Sequence, residues 1–282
     1  MTPLATRVAT AAVLVPLVLA ALFALPPGGW AALVLAAIVL AAAEWGRLAG
    51  FAAAGRAVYA AAVAAPGAAL LILAPPLAST GWPDPVVLVA CGLATLFWLA
   101  VALPWVLRRW PARSRLPLAL AGIVALSGVW VALVELQARS PWLVLAAMAI
   151  VWIADTAAYF AGRAFGRRKL APLVSPGKTW EGVFGALAAV AVYAAAIAPF
   201  AHSAGYQGRG DAVALIAWIA LALALALMSV LGDLYESWLK RQAGVKDSGT
   251  LLPGHGGILD RVDALLAAMP PAALAAHRFL GT

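Results

Sequence analysis

The chain has 282 residues, of which 65% are hydrophobic and only 11% are charged, and its mean hydropathy is +0.99. A soluble domain of this size needs a polar surface, and 19 basic and 11 acidic side chains are too few to provide one. Intrinsic disorder is excluded by the same composition, and a disulfide scaffold by the single cysteine, Cys91. We therefore expect an all-α, polytopic integral membrane protein.

Apolar segments close to the ~20 residues that cross a bilayer predict about nine transmembrane helices. They cover residues 8–26, 30–49, 57–79, 85–107, 116–136, 141–162, 181–201, 212–232 and 257–280. The third is interrupted by Pro66-Gly67 and Pro75-Pro76, and the ninth contains charged residues and Pro270-Pro271, so eight or ten crossings are alternatives. The first segment, with Arg7 ahead of an apolar run, also fits a cleaved signal peptide.

The basic residues predict the orientation, because cytoplasmic loops of membrane proteins are enriched in Lys and Arg. With nine crossings, 16 basic residues fall on the side of the N-terminus, and three, Arg139, Arg209 and Arg278, fall on the other. The N-terminus is therefore predicted to be cytoplasmic. A net charge of +8 could also indicate a nucleic-acid partner, but topology explains these residues and we expect no such partner.

Acidic residues are more informative, because a carboxylate within a membrane segment is costly and usually has a function. Seven of the eleven lie at or inside the predicted cytoplasmic span ends. These are Asp155, Glu181, Asp233, Glu236, Asp247, Asp260 and Asp263. The other four, Glu44, Asp84, Glu135 and Asp211, lie near loops or span ends and are interpreted as solvated loop charges.

The sixth span and the following loop carry the first candidate group. Asp155, Tyr159 and Arg163 recur every four residues and share one helix face, which also fits a polar stripe in a helix contact. The next loop offers Ser175, Lys178 and Thr179 beside glycines, a composition that suits phosphate binding. It is not a Walker loop, since Pro172 stands where that motif needs glycine.

The second candidate group begins at the end of the eighth span. Helical spacing places Asp233, Glu236 or Ser237, and Lys240 on one face. After a short loop come Asp260 and Asp263, which are i,i+3 neighbours, preceded by Gly256-Gly257 at a helix N-terminus that attracts anions.

Several aspartates that could converge, with one histidine nearby and no useful cysteine, predict an oxygen-ligand site, and Mg²⁺ is the expected occupant. A Ser-His-Asp hydrolase built on Ser237 and His255 is an alternative by inventory. The surrounding basic residues, Lys240, Arg241, Lys246 and Arg261, fit polyphosphate better.

The run from Ser237 to Asp263 resembles the C-terminal pattern of the phosphatidate cytidylyltransferases, also called CDP-diacylglycerol synthases. The matching positions are Ser237, Leu239-Lys240-Arg241, Lys246-Asp247, Gly249, Leu252-Pro253, His255-Gly256-Gly257-Ile258 and Asp260-Arg261-Val262-Asp263. Upstream blocks that begin at Asp155 and Ser175 are also similar to this family, whereas the first five spans match only as apolar segments. The resemblance thus covers roughly residues 150 to 265.

The resemblance implies a membrane enzyme, often a homodimer, that condenses cytoplasmic CTP with phosphatidate from the leaflet and needs Mg²⁺. It implies metal ligation by Asp233 and Asp260. The count of basic residues places the candidate site residues on the cytoplasmic side, so we expect a bacterial-type cytoplasmic (inner) membrane protein whose site faces the cytoplasm. We expect residues 1–140 to form N-terminal membrane helices and residues 141–282 the catalytic region.

Roles for the remaining candidates follow from their charge and position. The predicted catalytic set is Asp233, Asp260, Lys240, Arg241, Lys246, Asp247, Arg261 and Asp263. The predicted substrate-binding set is Ser175, Lys178, Thr179, Asp155, Arg163, Ser237, His255, Gly256 and Gly257. The basic members would neutralise phosphates, and His255 would orient a phosphate or a loop.

Three other functions are alternatives. A CTP-dependent lipid alcohol kinase has related motifs, but the complete Ser237–Asp263 pattern argues against it. A CDP-alcohol phosphotransferase needs an Asp-Gly pair, which the sequence lacks. A transporter predicts acids near the bilayer midplane, whereas these acids lie beside basic loops at one interface.

Overall fold

The computed structural model describes residues 3–73, 81–111, 114–203, 212–254 and 256–279. These residues form long helices and one short hairpin. The helices are α1 (Pro3–Ala24), α2 (Pro27–Leu48), α3 (Ala53–Leu73), α4 (Asp84–Arg108), α5 (Arg115–Arg139), α6 (Pro141–Phe165), α7 (Trp180–Ser203), α8 (Ala212–Gln242) and α9 (Leu259–Phe279). The strands are β1 (Lys169–Ala171) and β2 (Ser175–Thr179), which pair antiparallel.

The all-α, polytopic fold class is confirmed. Seven described helices, α2 to α8, are long and apolar enough to cross a membrane. The helices α1 and α9 also coincide with predicted spans, although α9 carries Asp260 in its first turn and His277 and Arg278 in its last. The number of crossings stays a prediction.

Proline positions explain several helix boundaries. Pro27, Pro85 and Pro141 stand in the first helical turns of α2, α4 and α6, where a missing N–H costs nothing. The interruption expected at Pro66-Gly67 does not occur, since α3 continues through it, and Pro75-Pro76 lie outside the described residues. In α4, a π-helical turn at Trp98–Ala102 directly precedes Pro104, whose ring cannot continue the regular hydrogen-bond ladder.

Tryptophan side chains join the helices of the core. The indole N–H groups of Trp30, Trp45, Trp98 and Trp130 each donate to a main-chain carbonyl on another helix, at 2.8–3.1 Å. In a bilayer, where burial of apolar surface drives helix association only weakly, directional bonds of this kind select the neighbouring helix.

Polar contacts join neighbouring elements at the two ends of the bundle. At the end predicted to be cytoplasmic, Arg47 of α2 donates to the main-chain oxygens of Asp247 and Ser248 in the loop before α9. At the opposite end, His277 of α9 contacts Asp84 at 3.2 Å and Glu135 at 3.4 Å. Which of these ends faces the cytoplasm stays a prediction.

The interpretation of Glu135 as a solvated loop charge is wrong. Its side chain is only 1% exposed and pairs with Arg139 at 2.6 Å. It also accepts a hydrogen bond from the main-chain N–H of Trp82 at 2.7 Å. Glu135 therefore fastens the chain ahead of α4 to α5, whereas Asp84, with 73% exposure, is solvated as expected.

Cysteine labelling checks the predicted orientation. A Cβ at Gly28 meets open space, and Ala243 is exposed, so Gly28→Cys and Ala243→Cys should both be tolerated. In spheroplasts, a membrane-impermeant maleimide should label Gly28→Cys, whereas Ala243→Cys should react only after permeabilisation. Fully buried Cys91 should stay unreactive in both. The opposite pattern would reverse the assigned orientation.

Candidate functional site

A cavity of about 540 Å³, lined by charged as well as apolar side chains, lies where the hairpin meets α6, α7 and α8. It is lined mainly by residues that the sequence pointed to. These include Asp155, Tyr159, Arg163, Ser175, Gly177, Lys178, Thr179 and Asp233. The segment predicted as a phosphate-binding loop is thus the second strand of a hairpin, which presents Lys178 to the helices.

Lys178 and Asp233 form the central contact of this cavity. Lys178 Nζ lies 2.6 Å from Asp233 Oδ2, and both side chains are partly exposed, at 23% and 31%. Ser237, one turn further along α8, donates to Asp233 Oδ1 at 3.2 Å. Asp233 is therefore held in place while remaining accessible from the cavity.

The predicted shared face of α6 is confirmed by its contacts. Arg163 Nη1 donates to the hydroxyl of Tyr159 at 3.1 Å, and both line the cavity. Asp155 lies close enough to Asp233 and Lys178 for their charges to act on it. This side of the cavity thus combines two carboxylates with an ammonium and a guanidinium.

A second ionic cluster surrounds Lys240. Its Nζ lies 2.5 Å from Glu236 Oε2 and 2.7 Å from Asp260 Oδ1. The three side chains are 13%, 2% and 4% exposed respectively. Because the cluster is nearly dry, Lys240 neutralises two carboxylates that would otherwise repel each other across α8 and α9.

The second oxygen of Asp260 is held by main-chain amides. Oδ2 accepts from Ser248 N at 2.9 Å and from Gly257 N at 2.8 Å. The N-terminal end of α9 was predicted to attract anions. Its main-chain amides donate instead to carboxylates of the protein itself. Glu44, reaching over from α2, accepts from the next two amides, those of Ile258 and Leu259.

Asp263 lies between the two clusters. A Cβ on Gly232 would overlap the main-chain oxygen of Asp263, so α8 and α9 approach very closely at this point. The charges of Asp233 and Lys240 both act on Asp263. The close crossing thus brings the Lys178–Asp233 pair and the Lys240 cluster into one electrostatic unit.

Metal ligation by Asp233 and Asp260 together stays a prediction. Among the described residues, no group of three or more acidic, histidine or cysteine side chains surrounds a common metal position. Each of the two carboxylates is paired with a lysine, whose ammonium group lies beside it. Carboxylate oxygens are the ligands that Mg²⁺ prefers, so these residues fit a Mg²⁺ site.

Other predicted residues have more peripheral positions. Thr179 is buried and caps α7, accepting from the Gly182 amide at 3.1 Å, so its contact is structural. Arg241 Nε donates to the Val174 carbonyl at 3.4 Å, which ties α8 to the hairpin. Lys246, Asp247 and Arg261 are exposed, and Gly256 has a positive φ of 82°. His255 lies outside the described residues.

Two residues of the site were missed from the sequence. Glu44, interpreted there as a solvated charge, is half-buried and bound to Ser248 and α9, and Arg47 binds the same loop. A signal was present, because Glu44 lies inside a predicted span, where a carboxylate is costly. The same rule that selected Asp155 would have selected Glu44.

Fold and site together define an integral membrane protein whose helices carry paired acidic and basic side chains around a cavity at one end of the bundle. The model of the cytidylyltransferase family matches residues 5–279. The chain belongs to this family.

Named relatives agree with this family. The phosphatidate cytidylyltransferase of Pseudomonas aeruginosa is 44% identical over 268 residues, which cover 94% of this chain and 93% of that protein. The phosphatidate cytidylyltransferase of Haemophilus influenzae is 51% identical over 129 residues, or 46% of this chain and 43% of the relative. That of Brucella suis is 47% identical over 164 residues, or 57% and 54%.

Proposed function

We propose that the protein is a phosphatidate cytidylyltransferase, which condenses CTP with phosphatidate to CDP-diacylglycerol and pyrophosphate. The observation that carries this proposal is the Lys178–Asp233 pair in the wall of the cavity, in a chain that resembles a phosphatidate cytidylyltransferase over 94% of its length. The cavity lies at the end of the bundle that the basic residues assign to the cytoplasm, where CTP is present.

The reaction needs charge neutralisation more than a general base. A phosphate monoester has a second pKa near ~6, so at neutral pH the lipid phosphate is already largely dianionic and can attack directly. Its oxygen forms a bond to the α-phosphorus of CTP, and the bond to the β-phosphate oxygen breaks to release pyrophosphate. Two unit charges ~4 Å apart repel by about 4 kcal/mol at an effective dielectric near 20, so cations have to offset several such repulsions.

The basic residues around the cavity suit this task. Lys178 on the hairpin and Arg163 on α6 face the cavity from two sides and would bind the phosphates. Exposed Arg261, whose charge acts on Asp155, would assist from α9. Lys240 is already paired with Glu236 and Asp260, so we assign it to holding those carboxylates in place.

Mg²⁺ is proposed as the cofactor, held through Asp233, with Asp260 and Asp263 close to the same helix crossing. When bound, the ion would offset phosphate charge and polarise the reacting phosphate. Lys178 now occupies the accessible oxygen of Asp233, and on nucleotide binding it is expected to move to a phosphate.

An apolar groove of about 450 Å³ adjoins the cavity that contains Lys178 and Asp233, and it suits the lipid substrate. It runs between α4, the hairpin, α7 and α8, and it shares Leu170, Val183 and Val230 with the wall of the cavity. A lipid could therefore place its phosphate in the cavity and its acyl chains against the groove. A cytoplasmic inner-membrane location and a homodimer are part of the same proposal.

An assay with CTP labelled separately at its α and γ phosphorus tests the function. With phosphatidate and Mg²⁺ in mixed micelles, α-label should enter the lipid product and pyrophosphate should be released. Transfer of γ-label to an added lipid alcohol would instead establish the CTP-dependent kinase. Solute flux in proteoliposomes without any lipid product would establish a transporter.

A further inference from the structure

Glu44 makes three hydrogen bonds with the segment that leads into α9. Its Oε2 accepts from Ser248 Oγ at 2.9 Å and from Leu259 N at 2.8 Å, while Oε1 accepts from Ile258 N at 3.1 Å. The first amides of a helix have no partner inside the helix and carry its positive dipole end. A carboxylate from α2, more than 200 residues earlier, thus caps α9.

The surrounding chain is shaped to admit this carboxylate. A Cβ on Gly249 or on Gly257 would overlap the carboxylate oxygens of Glu44. Arg47, nearly one turn further along α2, donates to the main-chain oxygens of Asp247 and Ser248. The α2 helix therefore binds the segment before α9 through two side chains: Glu44 accepts hydrogen bonds from it and Arg47 donates hydrogen bonds to it.

Ser248 connects Glu44 to the candidate site. This fully buried serine donates its hydroxyl to Glu44 and accepts from the amide of Asp260 at 3.3 Å. Its own amide donates to the Asp260 carboxylate. The position of Asp260 thus depends on a serine whose hydroxyl direction is set by Glu44.

We propose that Glu44 is a positioning residue of the site, which acts on Asp260 through Ser248 and the first turn of α9. It binds no substrate itself. The inference rests on the proposed function, because its kinetic consequence is a slower cytidylyl transfer. Its structural consequence, an ordered start of α9, can be measured without any turnover.

The test compares Glu44→Gln, Glu44→Ala and Glu44→Asp in the CTP and phosphatidate assay. Displacing a site by 1 Å can cost about 10²-fold in rate, so kcat per folded molecule should fall about 10- to 100-fold in the Gln and Ala variants. The KM for CTP should change little, and Glu44→Asp should recover part of kcat. Ser248→Ala should not add to the loss in Glu44→Ala, since both break one connection.

The matched control is Glu135→Gln, which makes the same change at a buried carboxylate that also accepts a main-chain N–H, at the opposite end of the bundle. It should lower the folded fraction without lowering kcat per folded molecule. If Glu44→Gln behaves in the same way, Glu44 is merely structural and the proposal fails.

Amide hydrogen exchange tests the positioning role of Glu44 independently of the proposed function. Exchange at Ile258 and Leu259 should be faster in Glu44→Gln than in the unchanged protein. If the unchanged protein transfers no cytidylyl group, the proposed function fails, and exchange alone then decides about Glu44. Unaltered exchange at both amides would overturn the positioning role.

Discussion

Asp233→Asn is expected to lower cytidylyl transfer by about 10²- to 10³-fold or more, the scale of losing one preorganised electrostatic group in an active site. The amide can still accept from Ser237, but it leaves Lys178 without its negative partner. It also removes the accessible carboxylate proposed to hold Mg²⁺. Because Asp233 is partly exposed, the protein should remain folded, and initial rates with purified protein in micelles measure the loss.

Asp84→Asn is the matched control for Asp233→Asn. It removes the same charge from an exposed carboxylate at the opposite end of the bundle, so transfer should stay near the unchanged rate. Gel filtration and thermal unfolding should show both variants folded. Near-normal kcat in Asp233→Asn would remove Asp233 from the catalytic set and from the metal proposal.

Lys240→Met is expected to destabilise the protein by about 3–5 kcal/mol, the cost of breaking a buried ion pair by removing one partner. The change leaves Glu236 and Asp260 facing each other without a cation, and both are nearly inaccessible to solvent. Reversible unfolding in mixed micelles measures the loss. Transfer should fall as well, because Asp260 loses a contact that fixes its orientation.

A second substitution separates these two effects of Lys240→Met. Adding Glu236→Gln removes the repulsion and should restore much of the stability, whereas transfer should stay low. Lys169→Met, at an exposed lysine of the hairpin, is the control and should change stability by about 0.5 kcal/mol or less. A stable Lys240→Met single variant would show that the buried cluster tolerates an unpaired charge.

The helices were predictable because the bilayer imposes their length and composition. The nine apolar segments coincide with the helices of the structure, and the face that carries Asp155, Tyr159 and Arg163 followed from helical spacing alone. The prediction that prolines interrupt the helices was wrong at Pro66 and Pro270-Pro271, which lie within continuous helices. Neighbouring helices can satisfy the main-chain groups that such prolines free.

The contacts of Lys240 with Glu236 and of Ser237 with Asp233 follow from helical spacing within α8. The pairings between elements were not predictable, because their partners lie far apart in sequence. Lys178 and Lys240 were both expected to face phosphates, yet the structure pairs them with Asp233 and with Glu236 and Asp260. Spacing places residues on one face of one helix, but it says nothing about which helix lies opposite. Glu44 was misjudged for the same reason, since its partners begin 204 positions later.

The separation between Glu44 and its partners has a consequence for biosynthesis. Leu259, which Glu44 caps, is synthesised 215 residues after it. Until α9 is made, the Glu44 carboxylate lacks the main-chain amides that donate hydrogen bonds to it. Contacts between such distant segments form late in folding. A nascent chain arrested before α9 should therefore be a substrate for membrane proteases, and the synthesis of α9 would be the step that protects the enzyme from them.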